Sequence, residues 1–123
     1  MSSTEARLRA FAALVAVWTP RINLVGAADL PALWERHIED CLQLVPLLPA
    51  GLDRAIDLGS GAGFPGLVLA IATDIPFDLI EADRRKATFL AEAAHRLGAP
   101  ARILACRIEA ATADIDLGHR PRP

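Results

Sequence analysis

The segment DLGSGAGFPG, residues 57–66, sets four glycines within eight residues behind a short apolar run, with an acid, Asp57, at its mouth. Glycines this dense let a backbone come close to another group that a side chain would hold off. A second carboxylate, Glu81, lies 20 residues past Gly61. A glycine loop with an acid at that distance is the pattern of a dinucleotide site, where the acid accepts hydrogen bonds from ribose hydroxyls. The letters GAGFPG satisfy G-x-G-x-x-G, but the register argues against a dinucleotide. The strand ends at Asp57 and Leu58, and Pro65 suits a first helical turn, where its φ is preset and its missing N–H is not needed. The loop is then residues 59–64, longer than a pyrophosphate cradle requires. Asp57 would repel a pyrophosphate and attract an ammonium. A Walker loop is excluded, because no Lys-Ser or Lys-Thr closes the pattern. An ammonium joined to a ribose points to S-adenosylmethionine, with Asp57 and Gly61 expected near its methionine moiety and Glu81 at its ribose. The plain alternatives are a ligand-free tight turn for the loop and a solvated strand end for Glu81, with Asp83 as its nearest competitor.

The elements that must position these residues can be read from the pattern. From Arg54 onward, strand and helix alternate: RAIDL as a buried strand, PGLVLAIA as a helix, FDLIEA as a strand. RRKATFLAEAAHRL follows as an amphipathic helix closed by Gly98 at its C-terminal cap, and ARILACRI as a third strand. That alternation implies right-handed βαβ units and a parallel sheet. Residues 1–50 read differently. Leu8, Phe11, Val15, Trp18 and Ile22 fall on one face of a first helix. In a second, over DLPALWERHIEDCLQLVPLL, Asp29 is expected to cap the N-terminus with Pro31 in the first turn. Its stripe is Leu33, Trp34, His37, Ile38, Cys41, Leu42 and Val45; Pro46, Pro49 and Gly51 end it. The apolar run at residues 10–18 has the length of a signal-peptide core, but bulky Trp18 stands where a small cleavage residue is required. No apolar run approaches the ~20 residues of a membrane span.

Other features narrow the chemistry. A net charge of −2 in 123 residues excludes a general polyanion binder. Cys41 and Cys106 have neither paired nor metal-like spacing, which suits a reducing cytosol, and His37, His95 and His119 form no metal motif. Arg84, Arg85 and Lys86 begin a helix, where positive charge opposes the dipole and asks for an anion: an RNA phosphate, or Glu81 or Asp83 nearby. His37 falls on an apolar stripe and reads as a satisfied core histidine.

Together DLGSGAG and the acid at the end of the second strand resemble motif I of the Rossmann-like methyltransferases. The longer DLGSGAGFPG resembles the glucose-inhibited division protein B family. Flanking segments agree over residues 8–110: W-x-x-x-INL from Trp18, RHIEDCL from Arg36, RRKATFL from Arg84, and RIE from Arg107. Thr19, Val25 and Cys41 depart from the family's Asn, Thr and Ser. The resemblance implies an α/β, Rossmann-like S-adenosylmethionine-dependent methyltransferase fold, here the N-terminal half only, behind a helical N-terminal layer. It implies methylation of guanine N7 in 16S ribosomal RNA of the small ribosomal subunit, in the cytoplasm. It also places Gly59 and Phe64 against the cofactor and Ile108 and Glu109 at its adenine end; core packing is the plain alternative for Ile108. No catalytic residue is named, because N7 offers a lone pair and no proton to remove.

Residues 1–50 are thus expected to form the helical layer, 51–110 the first half of the cofactor-binding domain, and 111–123 an aberrant or unstructured tail. Such a half sheet leaves its central strand edge unpaired. GHRPRP, the last six residues, is expected to be out of frame: GC-rich codons for it, read one base on, give Val-Thr-Ala-Arg-Ala, resembling the family's VTARA. A cut fragment is the alternative. On this reading residues 1–123 alone bind the cofactor weakly and do not turn over. A non-catalytic cofactor-binding remnant is the second function, and an NAD-binding oxidoreductase fragment a distant third.

Overall fold

The structure, a computed structural model, describes residues 2–110; the expected tail, residues 111–123, lies outside them. Helix α1, Ser3–Ile22, starts where the Ser2 side chain accepts a hydrogen bond from the Glu5 N–H at 3.0 Å. It stops at Asn23, which takes the left-handed conformation at φ 52°. Its buried face is Leu8, Phe11, Val15 and Thr19. Trp18 and Ile22, expected on the same face, are partly buried and pack against the core, and Thr19 joins them. Thr19 is buried because its hydroxyl donates to the Val15 carbonyl at 2.7 Å, which satisfies it inside the core. Trp18 is half-buried beside the Phe89 ring, 5.4 Å between centroids.

The second helix is not continuous. Residues 27–47 form a 3-10 turn at Ala27–Ala32, a π-helical turn at Trp34–Ile38, a short α2 at Glu39–Leu42, and a further 3-10 turn at Val45–Leu47. Asp29 is not its cap. Gly26 precedes the first turn without a side-chain cap bond, and the Asp29 carboxylate accepts from Arg36 Nη1 at 3.2 Å instead. Pro31 supplies no N–H for an α-helical ladder, and the π turn widens the backbone before α2 resumes.

The α/β part follows the expected order. Strands β1 (Ala55–Leu58), β2 (Phe77–Ile80) and β3 (Ala101–Leu104) lie parallel in the order β1-β2-β3. Among the described residues β1 pairs on one side only. Helices α3 (Gly66–Thr73) and α4 (Arg84–Leu97) make the two crossovers. Six consecutive residues of α3, Gly66 to Ile71, are buried, as a helix sandwiched between α1 and the sheet must be. The more amphipathic α4 buries Ala87, Phe89, Leu90, Ala93 and Ala94 and ends at Gly98 in the left-handed region. Arg7 ties α1 to that end, donating from Nε and Nη2 to the Leu97 and Gly98 carbonyls, each at 2.8 Å.

Asp78 on β2 is 2% exposed, and its charge is met by a fork from Arg102 (3.2 and 2.9 Å) with Arg54 at 3.6 Å. The third strand is shorter than its sequence suggests. It ends at Leu104, whose carbonyl accepts from the Cys106 N–H at 3.0 Å in a tight turn, and a helical turn begins at Ile108. Ile108 is 44% exposed, so it belongs neither to the strand nor to the core.

Candidate functional site

The loop between β1 and α3 is held from three directions. The Gly59 and Ser60 N–H groups both donate to the Ile80 carbonyl, at 2.9 and 3.0 Å, which sets the loop across the end of β2. The Gly61 N–H donates to Glu81 Oε1 at 2.6 Å. The Gly66 N–H donates to Asp57 Oδ2 at 2.9 Å, joining the first residue of α3 to the C-terminal end of β1. Within the loop, Gly63 N–H reaches the Ser60 carbonyl at 2.8 Å. Asp57 and Glu81 therefore each accept a backbone N–H of the glycine-rich segment.

Glycine is required at two of these positions for steric reasons. At Gly66 a Cβ would lie 2.5 Å from both Asp57 Oδ2 and Leu79 Cδ2. At Gly63, φ is +99° and a Cβ would meet Leu67 and Phe11 at 3.0 Å. Gly59 and Gly61 differ: a Cβ there would meet nothing within 4 Å. That side of the loop faces open space. A ligand can approach its backbone, so the cradle fits the cofactor that the sequence pattern suggests.

Glu81 is no solvated strand end. It is 9% exposed, and its second oxygen accepts from the Asp83 N–H at 2.8 Å. The carboxylate thus clamps the glycine loop to the start of α4. Asp83 acts separately, as the N-cap of α4, accepting from the Arg85 and Lys86 N–H groups at 2.9 and 3.2 Å. Those bonds, Lys86 first, hold its carboxyl below the usual range. The anion that Arg84, Arg85 and Lys86 ask for at the helix start is thus present in Asp83. Asp57 behaves oppositely. Burial raises its pKa, offset in part by the bonds from Gly66 and Ser60, and the nearby charge of Glu81 adds to the rise.

Phe64 turns its ring toward the helical layer. Its centroid is 5.5 Å from that of Phe11 and 5.1 Å from the His37 ring, with which it stacks at 30°. Phe64 and Pro65 form one wall of a cleft of about 450 Å³, and residues 36–47 form the other, with Arg36, His37, Asp40 and Gln43 contributing polar groups. His37 is not the satisfied core histidine that its place on an apolar stripe suggests. Its Nε2 is buried without a hydrogen-bond partner, 3.7 Å from Asp29 Oδ2. Apolar periodicity does not reveal this cleft. The polar residues beside the stripe, Arg36, Asp40 and Gln43, are its only mark in the sequence.

Not every expected residue is brought together. Asp57, Gly59, Gly61 and Glu81 converge at the C-terminal ends of β1 and β2, with Phe64 on the far side of the loop. Ile108 and Glu109 lie beyond the end of β3, in the helical turn that follows. Among the described residues no cluster of His, Cys, Asp and Glu could hold a metal ion, and no helix is long and apolar enough to cross a membrane.

Comparison with known proteins identifies relatives of the chain. The chain is 59% identical over 107 residues to the ribosomal RNA small subunit methyltransferase G of Acidiphilium cryptum, covering 85% of this chain and 49% of that protein. The same-named protein of Gluconobacter oxydans is 52% identical over 109 residues, covering 89% and 56% respectively. That of Rhodospirillum centenum is 54% identical over 107 residues, covering 87% and 50%. The chain spans about half the length of the curated relatives it matches. Residues 4–118 match a single family, and they contain the whole glycine loop with both of its acids: the chain belongs to the GidB family, rRNA small subunit methyltransferase G.

Proposed function

We propose that this chain forms the cofactor-binding half of an S-adenosylmethionine-dependent methyltransferase that modifies guanine N7 in 16S ribosomal RNA, working in the cytoplasm on the small ribosomal subunit. The observation that carries this reading is the glycine loop clamped by Glu81 through the Gly61 N–H, with its open side at Gly59 and Gly61. Asp57 supplies negative charge where an ammonium would sit, and Glu81 is the acid within reach of a ribose. Gly59 and Phe64 line the loop; Ile108 and Glu109 stand beyond β3, on the side expected to receive the adenine. When bound, S-adenosylmethionine supplies a methyl group activated on a sulfonium. The residues of this chain then serve to orient. Guanine N7 has a lone pair and no proton, so no side chain must act as a base, and the rate gain comes from holding nucleophile and methyl in line. A nicotinamide dinucleotide fits less well, since Asp57 would repel its pyrophosphate.

Calorimetric titration of the chain with S-adenosylhomocysteine and with NAD tests the assignment. S-adenosylhomocysteine should bind the tighter. Tighter binding of NAD would overturn it.

A further inference from the structure

The cleft between the glycine loop and residues 36–47 lies outside the cofactor cradle and shares only its Phe64–Pro65 wall. It nevertheless lies close to the position where the reactive methyl is expected. Cys41 and Pro65 line the cleft, and the residue after Pro65, Gly66, donates its N–H to Asp57 Oδ2 at 2.9 Å, which puts Asp57 directly behind that wall. Asp57 is the acid assigned to the methionine end of the cofactor, so on that reading the cleft adjoins the methyl and not the adenine. Its polar groups are of the kind that reads a planar base. The exposed Asp40 and Gln43 side chains make no hydrogen bond or ion pair among the described residues, and the buried Nε2 of His37, 3.7 Å from Asp29 Oδ2, has no hydrogen-bond partner. One nitrogen of Arg36 is engaged by Asp29, while the guanidinium is 67% exposed and retains further donors.

We propose that this cleft seats the target guanine: Asp40 accepts from its N1–H and N2–H, the His37–Phe64 stack forms the wall beside the ring, and Arg36 faces the nucleotide's phosphate. A carboxylate is the group that distinguishes guanine on this edge, because adenine presents an acceptor, N1, where guanine presents two donors. Engaging that edge leaves N7 on the opposite side of the base, toward Phe64 and Pro65 and the loop behind them. The proposal rests on the methyltransferase reading above and assigns the residues that select the base.

The test is calorimetric titration of the chain with guanosine 5′-monophosphate and with adenosine 5′-monophosphate, each with and without saturating S-adenosylhomocysteine. The guanosine nucleotide should bind about tenfold tighter than the adenosine one, as a bidentate contact to a base edge predicts. Asp40→Asn should remove that preference and leave the adenosine nucleotide unaffected, while Arg36→Ala should weaken both alike. Asp40 is exposed, so its replacement does not disturb the core. Equal affinity for the two nucleotides, or a guanosine preference that survives Asp40→Asn, would overturn the assignment. If S-adenosylhomocysteine fails to bind, the cofactor reading is wrong, while the two nucleotide titrations without it still decide whether the cleft reads guanine.

Discussion

The carboxylate of Glu81 and the N–H of Gly61 meet at 2.6 Å, a bond that fixes the loop after β1 to the end of β2 across 20 residues of chain. The same side chain holds the Asp83 N–H at 2.8 Å, so one buried acid satisfies two backbone donors.

Removing that acid leaves both donors without an acceptor. Glu81→Ala is expected to cost about 2–4 kcal/mol, since hydrogen bonds to a charged group contribute about 1.5–3 kcal/mol each and part of the loss is recovered by water. Glu81→Gln keeps one oxygen and should lose about half as much. Urea denaturation of the three proteins measures this. A midpoint for Glu81→Ala equal to that of the parent would show that the clamp contributes nothing.

The two kinds of glycine in the loop should separate stability from binding. Gly63→Ala forces a Cβ to 3.0 Å from Leu67 and Phe11 at a φ of +99°, and is expected to destabilise by about 2–4 kcal/mol through overpacking and backbone strain. Gly61→Ala meets open space and carries only the backbone cost of about 1–2 kcal/mol, yet places a methyl group where the cofactor would approach. Thermal unfolding and S-adenosylhomocysteine titration of both variants should show the larger melting shift in the first and the larger affinity loss per unit of stability lost in the second.

Asp57 makes a pH dependence opposite to that of an ordinary paired carboxylate. Burial raises its folded pKa above the unfolded value of 3.8, so the folded state holds the proton more tightly. Its contribution is fully present below pH 3.8 and is lost as pH rises through the raised folded pKa. The difference in unfolding free energy, parent minus Asp57→Asn, should therefore fall as pH increases from about 3.5 toward neutrality. Asparagine keeps an oxygen for the Gly66 N–H, so the loop exit stays joined. A difference that rises over that range would contradict the assigned direction. The same variant should weaken S-adenosylhomocysteine, whose ammonium loses its counter-charge.

Cys41 should be a slow thiol. Burial first, then the charges of Asp40 and Asp57, raise it to about 11, so at pH 8 about one part in a thousand is thiolate. Brief treatment with iodoacetamide followed by peptide mapping should find Cys106, which is not buried, modified well before Cys41. Binding of guanosine 5′-monophosphate in the cleft should slow Cys41 further. Faster modification at Cys41 would place it outside the packed wall.

Much of the architecture was legible in residue order alone, because it depends on local pattern. The alternation after Arg54 specifies β1-α3-β2-α4-β3, Gly98 closes α4 as its left-handed conformation requires, and the distance from Gly61 to Glu81 marks two groups brought to one sheet edge. What the pattern could not supply were the partners. The Glu81 carboxylate meets backbone N–H groups, a fact fixed only when β1 and β2 pair in parallel register. Thr19 is buried beside Trp18 because its hydroxyl finds the Val15 carbonyl, which periodicity of apolar residues does not register. Residues 27–47 carry a helical stripe yet break into 3-10, π and α turns, since Pro31 interrupts the ladder and the segment must follow the surface of α3. His37 sits on that stripe but stacks on Phe64 with its Nε2 lacking a hydrogen-bond partner. Periodicity reports which face is apolar; which atoms that face meets is decided by elements distant in sequence, and hydrogen bonding is too directional to follow from spacing.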